Sequence, residues 1–235
     1  MASLNVRIFK RAMLSVVRKS GQRLVRERRS CHEKYIRIRH MLGMTKRCLA
    51  IIDLINDYLD HWDSDKACHL IENTNSVVRA FRQSGLPVIW VRQEFRADLS
   101  DAFLEMREKN IRIAIEGTRG AQLHADLDWN PNDVTIIKKR YSAFFKTELE
   151  HLLAEDEVGE LVLCGINTHA CIRMAAIDAY QRDLRVLLVA DCIDSYNDEH
   201  ARVSLDYMDG KIAKVVTAAE INDILRSNVA ALPAE

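Results

Sequence analysis

Three residues could do chemistry together if the fold brought them to one place: a thiol at Cys171, a carboxylate at Asp53 and an ammonium at Lys138. Cys171 closes the stretch Gly165-Ile166-Asn167-Thr168-His169-Ala170-Cys171. The residues ahead of it, Leu161-Val162-Leu163-Cys164, have the continuous apolar character of a buried parallel strand. Behind it, Ile172, Ala175, Ala176 and Ala179 fall at helical spacing. Strand, tight turn and helix, in that order, put Cys171 at or near a helix N-terminus. The free N–H groups and the dipole of such an end favour a thiolate, and could receive an oxyanion forming on an attacked carbonyl. The plainer alternative is a small buried hydrophobe, a common fate of cysteine.

Asp53 and Lys138 also follow apolar runs. Cys48-Leu49-Ala50-Ile51-Ile52 reads as a buried strand, and Asp53 stands at its carboxyl end, the edge of an α/β sheet where ligands bind. A turn or helix-cap role is the alternative. Val134-Thr135-Ile136-Ile137 reads as another strand and delivers Lys138-Lys139-Arg140, for which a solvated loop is the alternative. The elements between must position these ends. Residues 65–84 form an amphipathic helix through Leu70, Ile71, Thr74, Val77, Val78 and Phe81, which Gly85 stops. Val88-Ile89-Trp90-Val91 is a strand ending at Arg92, Gln93 and Glu94. Residues 96–132 are mixed, with a short helical stretch near 100–109, and are the place for substrate-specific loops. A short helix at 148–153, a strand at 185–190 ending in Asp191, a helix at 199–208, a strand at 214–216 and a helix at 218–225 complete the chain. Alternating strands and helices predict a single-domain, three-layer α/β/α fold with a mostly parallel central sheet.

The net charge is zero, but it is unevenly spread. Residues 1–47 carry fourteen Lys or Arg against two acids, which leaves twenty basic and thirty-two acidic residues in the body. We therefore separate a basic extension at 1–45, flexible or helical, from a domain at 46–226 and a tail at 227–235. Three readings of the extension stay open: a mitochondrial-type targeting segment, a basic arm for anionic surfaces, or sequence upstream of a true start at Met41 or Met44. No apolar run reaches the roughly 20 residues that span a bilayer. The six cysteines contain no C-x-x-C pair, so a reducing, cytoplasmic setting is expected over a disulfide framework. An acidic body would repel phosphates, which argues against nucleic acid as a partner.

Taken in order, the three chemical segments resemble the isochorismatase-like cysteine hydrolase superfamily, which includes nicotinamidases, carbamoylsarcosine amidohydrolases and ureidoacrylate amidohydrolases. Ile52-Asp53-Leu54-Ile55-Asn56-Asp57-Tyr58 is similar to its I-D-M-Q-N-D-F motif. Lys138 to Phe144 is similar to K-x-R-Y-S-A-F, and Gly165 to Cys171 to G-(V/I)-x-T-x-x-C. The resemblance covers about residues 46–222. It implies that Asp53 is the base, Lys138 the cation beside the thiolate and Cys171 the nucleophile. Lys138 is preferred to Lys139 because the family's lysine lies four residues before the serine. It implies an oxyanion site at the N–H of Cys171 and at a cis peptide, here Ile166–Asn167. The activity implied is hydrolysis of a small amide, carbamoyl or ureido C–N bond through a thioester, with ammonia or an amine released.

Tyr58, Glu94, Phe144 and His169 are further candidates for the substrate pocket, with a turn-surface position the alternative for His169. Two departures stand out. Ile55 replaces a frequent glutamine, and Arg92-Gln93-Glu94-Phe95 stands where nicotinamidases carry metal ligands. No metal and no cofactor are therefore expected. The expected partners are a small-molecule amide and further copies of the chain, as a dimer or tetramer, without a membrane span. Vinyl-ether hydrolysis of isochorismatase type, or a non-catalytic binding scaffold, are the alternatives.

Overall fold

The computed structural model describes residues 45–230, so the expectations for the basic extension, and for its role in targeting, lie outside the described residues. From Lys46 onward the chain forms one compact unit. In chain order the elements are β1 (Lys46–Ile52), α1 (Asn56–Leu59), α2 (Ser64–Gln83), β2 (Val88–Gln93), α3 (Leu104–Lys109), β3 (Val134–Lys138) and α4 (Leu149–Glu155). There follow β4 (Val158–Ile166), a single π-helical turn (Thr168–Ile172), α5 (Arg173–Tyr180), β5 (Arg185–Asp194), α6 (Asp198–Met208), β6 (Lys214–Val216) and α7 (Ala218–Ala230).

All neighbouring strands run parallel, in the order β3-β2-β1-β4-β5-β6. The chain builds outward from β1 to β3, then returns to the other side of β1 with β4. The order therefore reverses between β1 and β4, and the carboxyl ends on either side of such a switch point open a crevice. The two-residue side-chain period of the strands splits the core into two layers. Ala50, Ile52, Leu161 and Leu163 pack with Leu149 and Leu153 of α4, Ala175 and Ala179 of α5 and Met208 of α6. Leu49, Ile51, Val162 and Cys164 pack with Leu70, Val77 and Phe81 of α2 and with Ile221 and Leu225 of α7. A smaller third cluster joins Ile55 to Phe95, Leu99, Ala102, Met106, Ala114 and Ile115, so the long connection after β2 has an apolar floor of its own.

The predicted three-layer architecture is the observed one, and several boundaries move. All nine residues of β4 are buried, whereas its apolar signal reached only from Leu161 to Cys164. β3 is an edge strand: Val134 and Ile137 are exposed while Ile136 and Lys138 are buried. β5 runs on to Asp194, past the expected end at Asp191, because the register with β4 shifts between Leu163 and Gly165. That irregularity turns Asp191 outward, where its carboxylate accepts the N–H of Ala218 at 2.7 Å and caps α7. α7 itself extends to Ala230, into the expected tail.

Candidate active site

The sheet brings the three predicted residues together. β1 ends in Asp53, which adopts a left-handed backbone with φ of 60°, a conformation aspartate tolerates better than most residues. Its N–H donates to Val91 O at 2.8 Å, and its Oδ1 accepts the N–H of Gln93 at 2.8 Å. The carboxylate is thus fixed by the end of β2. Lys138 ends β3 opposite Gln93 in the parallel register, on the same side as the buried Ile136. Its Nζ lies 2.6 Å from Asp53 Oδ2 and 3.4 Å from Cys171 Sγ, and donates to Arg140 O at 3.1 Å. Lys139 points elsewhere and pairs with Asp101 at 2.9 Å. The side chains of Asp53 and Lys138 have no exposure, and Cys171 is 4% exposed.

β4 delivers the thiol through a tight approach. Gly165 pairs with Ile52 and has φ of +115°, and a Cβ there would sit 2.0 Å from Ile52 O. Only glycine lets β1 and β4 come this close at the switch point. The next peptide, Ile166–Asn167, is cis. Cys171 lies inside a π-helical turn that runs directly into α5, so it sits near a helix N-terminus as expected, with the α-helix proper starting at Arg173. Residues 170 and 172 in this turn donate their N–H groups to Asn167 O.

The electrostatics reverse one expectation. Burial and the adjacent Asp53 carboxylate push the Cys171 thiol up from 9.0 to about 12, although Lys138 pulls it down. Burial pulls Lys138 down, but Asp53 and Cys171 outweigh it and hold the ammonium above its ordinary value. Lys138 thus stands between the buried Asp53 and Cys171 side chains and contacts both. An uncompensated charge in this position would be costly, so the members are interdependent.

The other candidates are distributed differently. Tyr58 donates to Gln93 Oε1 at 2.7 Å, and burial followed by the Asp53 charge raises its phenol well above the ordinary value. Glu94 is half-buried and paired with Arg92 at 2.7 Å. Phe144 belongs to the core layer that contains Cys171 and carries Arg182 over its ring at 4.7 Å. His169 turns toward the residues after β5: one ring nitrogen is bonded to Ser195 Oγ, and the other lies 3.3 Å from Tyr196 OH. Sequence reasoning passed over Gln93, which is 3% exposed and joins Asp53 to Tyr58 through its backbone and side chain. Its signal was its place at a strand end between two charged residues. Among the described residues no three His, Cys, Asp or Glu side chains converge to hold a metal, and the Arg92–Glu94 pair does not fit one. A surface cleft of about 650 Å³, lined by Arg92, Gln122, Leu123, Trp129, Asp133 and Thr135 among others, lies apart from the three residues. No helix among the described residues is long and apolar enough to cross a membrane.

The family model described as Isochorismatase domain matches residues 47–220, from β1 into α7. Phenazine biosynthesis protein PhzD1 of Pseudomonas aeruginosa is 37% identical over 91 residues, 39% of this chain and 44% of that protein. The match to that relative thus spans less than half of its length. The Arabidopsis thaliana protein named probable inactive nicotinamidase At3g16190 is 34% identical over 143 residues, 57% of this chain and 73% of that protein. The crystal structure of N-carbamoylsarcosine amidase from Thermoplasma acidophilum superposes with a TM-score of 0.65 at 26% identity, covering 74% of this chain and 97% of that one. With the family's domain matched along nearly the whole sheet and the same fold in a solved amidase, the chain belongs to the isochorismatase family of hydrolases.

Proposed function

We propose that the protein is a cysteine-dependent amidohydrolase acting on a small amide, carbamoyl or ureido compound. The observation that carries this reading is the contact of one buried ammonium, Lys138 Nζ, with both Asp53 Oδ2 at 2.6 Å and Cys171 Sγ at 3.4 Å. A thiol, a carboxylate able to take its proton and a cation able to steady the sulfur are the parts a nucleophilic hydrolase needs. Similarity to N-carbamoylsarcosine amidase adds support.

On this reading Cys171 Sγ attacks the carbonyl carbon as its proton passes to Asp53. Charge moves from sulfur to the carbonyl oxygen, and the N–H groups of the Ile166–Asn167 and Cys171 turn receive it. The C–N bond breaks when the proton on Asp53 transfers to the leaving nitrogen, which departs as ammonia or an amine. Water then attacks the thioester carbonyl, gives a proton to Asp53 and releases the acid. Asp53 returns that proton to the sulfur, so the sum is amide plus water giving acid plus ammonia or amine. Lys138 keeps its proton throughout. Its role is to hold the carboxylate and to offset charge on sulfur in a site too dry for solvent to do so. Tyr58 and Glu94 are proposed to meet the substrate.

The name of the Arabidopsis relative favours a second reading, a family member that binds without turnover. One assay separates the two. Ammonia release from a panel of small amides, carbamoyl and ureido compounds should be measurable in the wild type and fall by at least about 10³-fold in Cys171→Ala. Undiminished release in the variant would overturn the covalent mechanism, and no release by the wild type from any compound would favour the scaffold.

A further inference from the structure

The residues that follow Lys138 grip two other parts of the molecule, and each grip is visible. The Lys138 ammonium pairs with the Asp53 carboxylate and donates to Cys171 Sγ and to the carbonyl of Arg140. Arg140 is itself anchored through its side chain. Its Nη1 donates to Lys139 O at 2.5 Å and to Asp101 O at 2.8 Å, and its guanidinium lies 5.0 Å from the centre of the Phe103 ring. Lys139 pairs with the Asp101 carboxylate at 2.9 Å, and the Tyr141 ring is 5.0 Å from that of Phe103. Three successive side chains thus hold residues 101–103, which lie on the long connection after β2. On the other side, Ser142 Oγ donates to Asp178 Oδ2 and accepts the N–H of Phe144 at 3.1 Å. Asp178 belongs to α5, the helix that continues from the Cys171 turn.

We propose that residues 139–142 are a bracket that sets the Lys138 ammonium between Asp53 and Cys171, with Arg140 as its principal positioning residue. Arg140 touches neither the thiol nor the carboxylate, and it acts through the carbonyl it holds against Lys138. The bracket ties residues 101–103 on one side and the helix that follows the nucleophile on the other, so a shift of either is felt at Lys138. One guanidinium nitrogen donates to two carbonyls while the group lies against the Phe103 ring, a set of contacts that a lysine ammonium can keep only in part. The inference rests on the amidohydrolase reading only for its effect on turnover; its geometry holds for any chemistry that uses Cys171.

The test compares Arg140→Gln, Arg140→Lys and Ser142→Ala with the full-length wild type. Alkylation of Cys171 by iodoacetamide at neutral pH is followed by mass spectrometry of the Cys171 peptide, and ammonia release is measured where an amide is accepted. Misaiming the cation should slow alkylation in Arg140→Gln about ten-fold and lower kcat by a similar factor with KM within about two-fold. Arg140→Lys should recover to within about three-fold of wild type, and Ser142→Ala should slow alkylation about three-fold. A merely structural role would lower the melting midpoint without this kcat–KM split or this rescue. Wild-type alkylation in folded Arg140→Gln would overturn the bracket even if amide hydrolysis is confirmed. If Arg140→Gln does not fold, Ser142→Ala decides, and an unchanged rate there overturns the proposal. Slowed alkylation in a protein that hydrolyses no amide would sustain the bracket and sink the amidohydrolase reading instead.

Discussion

Two regions meet over the candidate site and are built in opposite ways. Below it, Asp53, Lys138 and Cys171 leave the ends of parallel strands, and backbone register fixes where each emerges: Ile52 lies opposite Gly165, and Gln93 opposite Lys138. Above it, the connection from β2 to β3 holds six-residue α3 as its one named element among the described residues and is tied down by isolated pairings such as Phe95 with Ile115 and Ile55 with Leu123. The lower region has no freedom to vary, because moving one strand end misplaces all three groups. The upper region is held by side chains and short bridges, which can be exchanged one at a time. On the proposed reading chemistry belongs to the first and selection of substrate to the second, as expected where loops sit on a rigid sheet.

That contrast breaks if changes below the site prove mild. The largest expected effect is that of Asp53→Asn, where the amide keeps the shape and cannot take the thiol proton. Turnover should fall by about 10³-fold in a steady-state ammonia assay, with the fold retained by circular dichroism. A loss smaller than ten-fold would remove Asp53 from the chemistry. Next, Gly165→Ala places a Cβ 2.0 Å from Ile52 O at a φ of +115°. It should destabilise the protein by about 3 kcal/mol in urea unfolding, since both overpacking and left-handed backbone contribute. A stability unchanged within error would mean that β1 and β4 are not locked together.

The reading of the sequence divides along the same line. The runs from Cys48 to Ile52 and from Leu161 to Cys164 announce buried parallel strands by composition alone, so the residues behind them could be placed. The end of β4 was hidden because Gly165 looks like a turn residue, while it is a strand residue whose missing side chain admits Ile52. The cap on α7 was hidden because Asp191 follows an apolar run and reads as a strand end; a bulge against β4 is a tertiary event. The direction of the Cys171 shift was missed for a similar reason. A nearby helix and lysine are visible in sequence, whereas complete burial and the closeness of Asp53 are not. Gln93 holds Asp53 through its backbone N–H, and Arg140 meets Lys138 through its carbonyl, contacts that depend on the folded backbone.

The smallest expected effect sharpens the contrast from the other side. Lys139 neighbours the buried lysine but pairs with Asp101 at a partly exposed position, where ion pairs contribute little. Lys139→Ala should keep kcat within about two-fold of wild type, and any change should fall mainly on KM. A kcat as low as that of Lys138→Ala would show that the two lysines had been assigned the wrong way round.

Burial and Asp53 raise the Cys171 thiol while Lys138 lowers it, so the sulfur should keep its proton until it attacks. Its alkylation rate by iodoacetamide against pH, in the wild type, Asp53→Asn and Lys138→Ala, tests this most directly. A group whose folded value lies above its ordinary 9.0 keeps its proton through neutral pH, so the wild-type rate should still be climbing beyond that value. Removing the carboxylate should move the profile down and speed alkylation at neutral pH, while removing the ammonium should move it up and slow alkylation. These opposite signs, with Asp53→Asn more reactive to the alkylating agent and yet dead toward amides, are the result predicted. A wild-type rate that levels off near neutral pH, or a slower reaction in Asp53→Asn, would show a preformed thiolate and contradict the account.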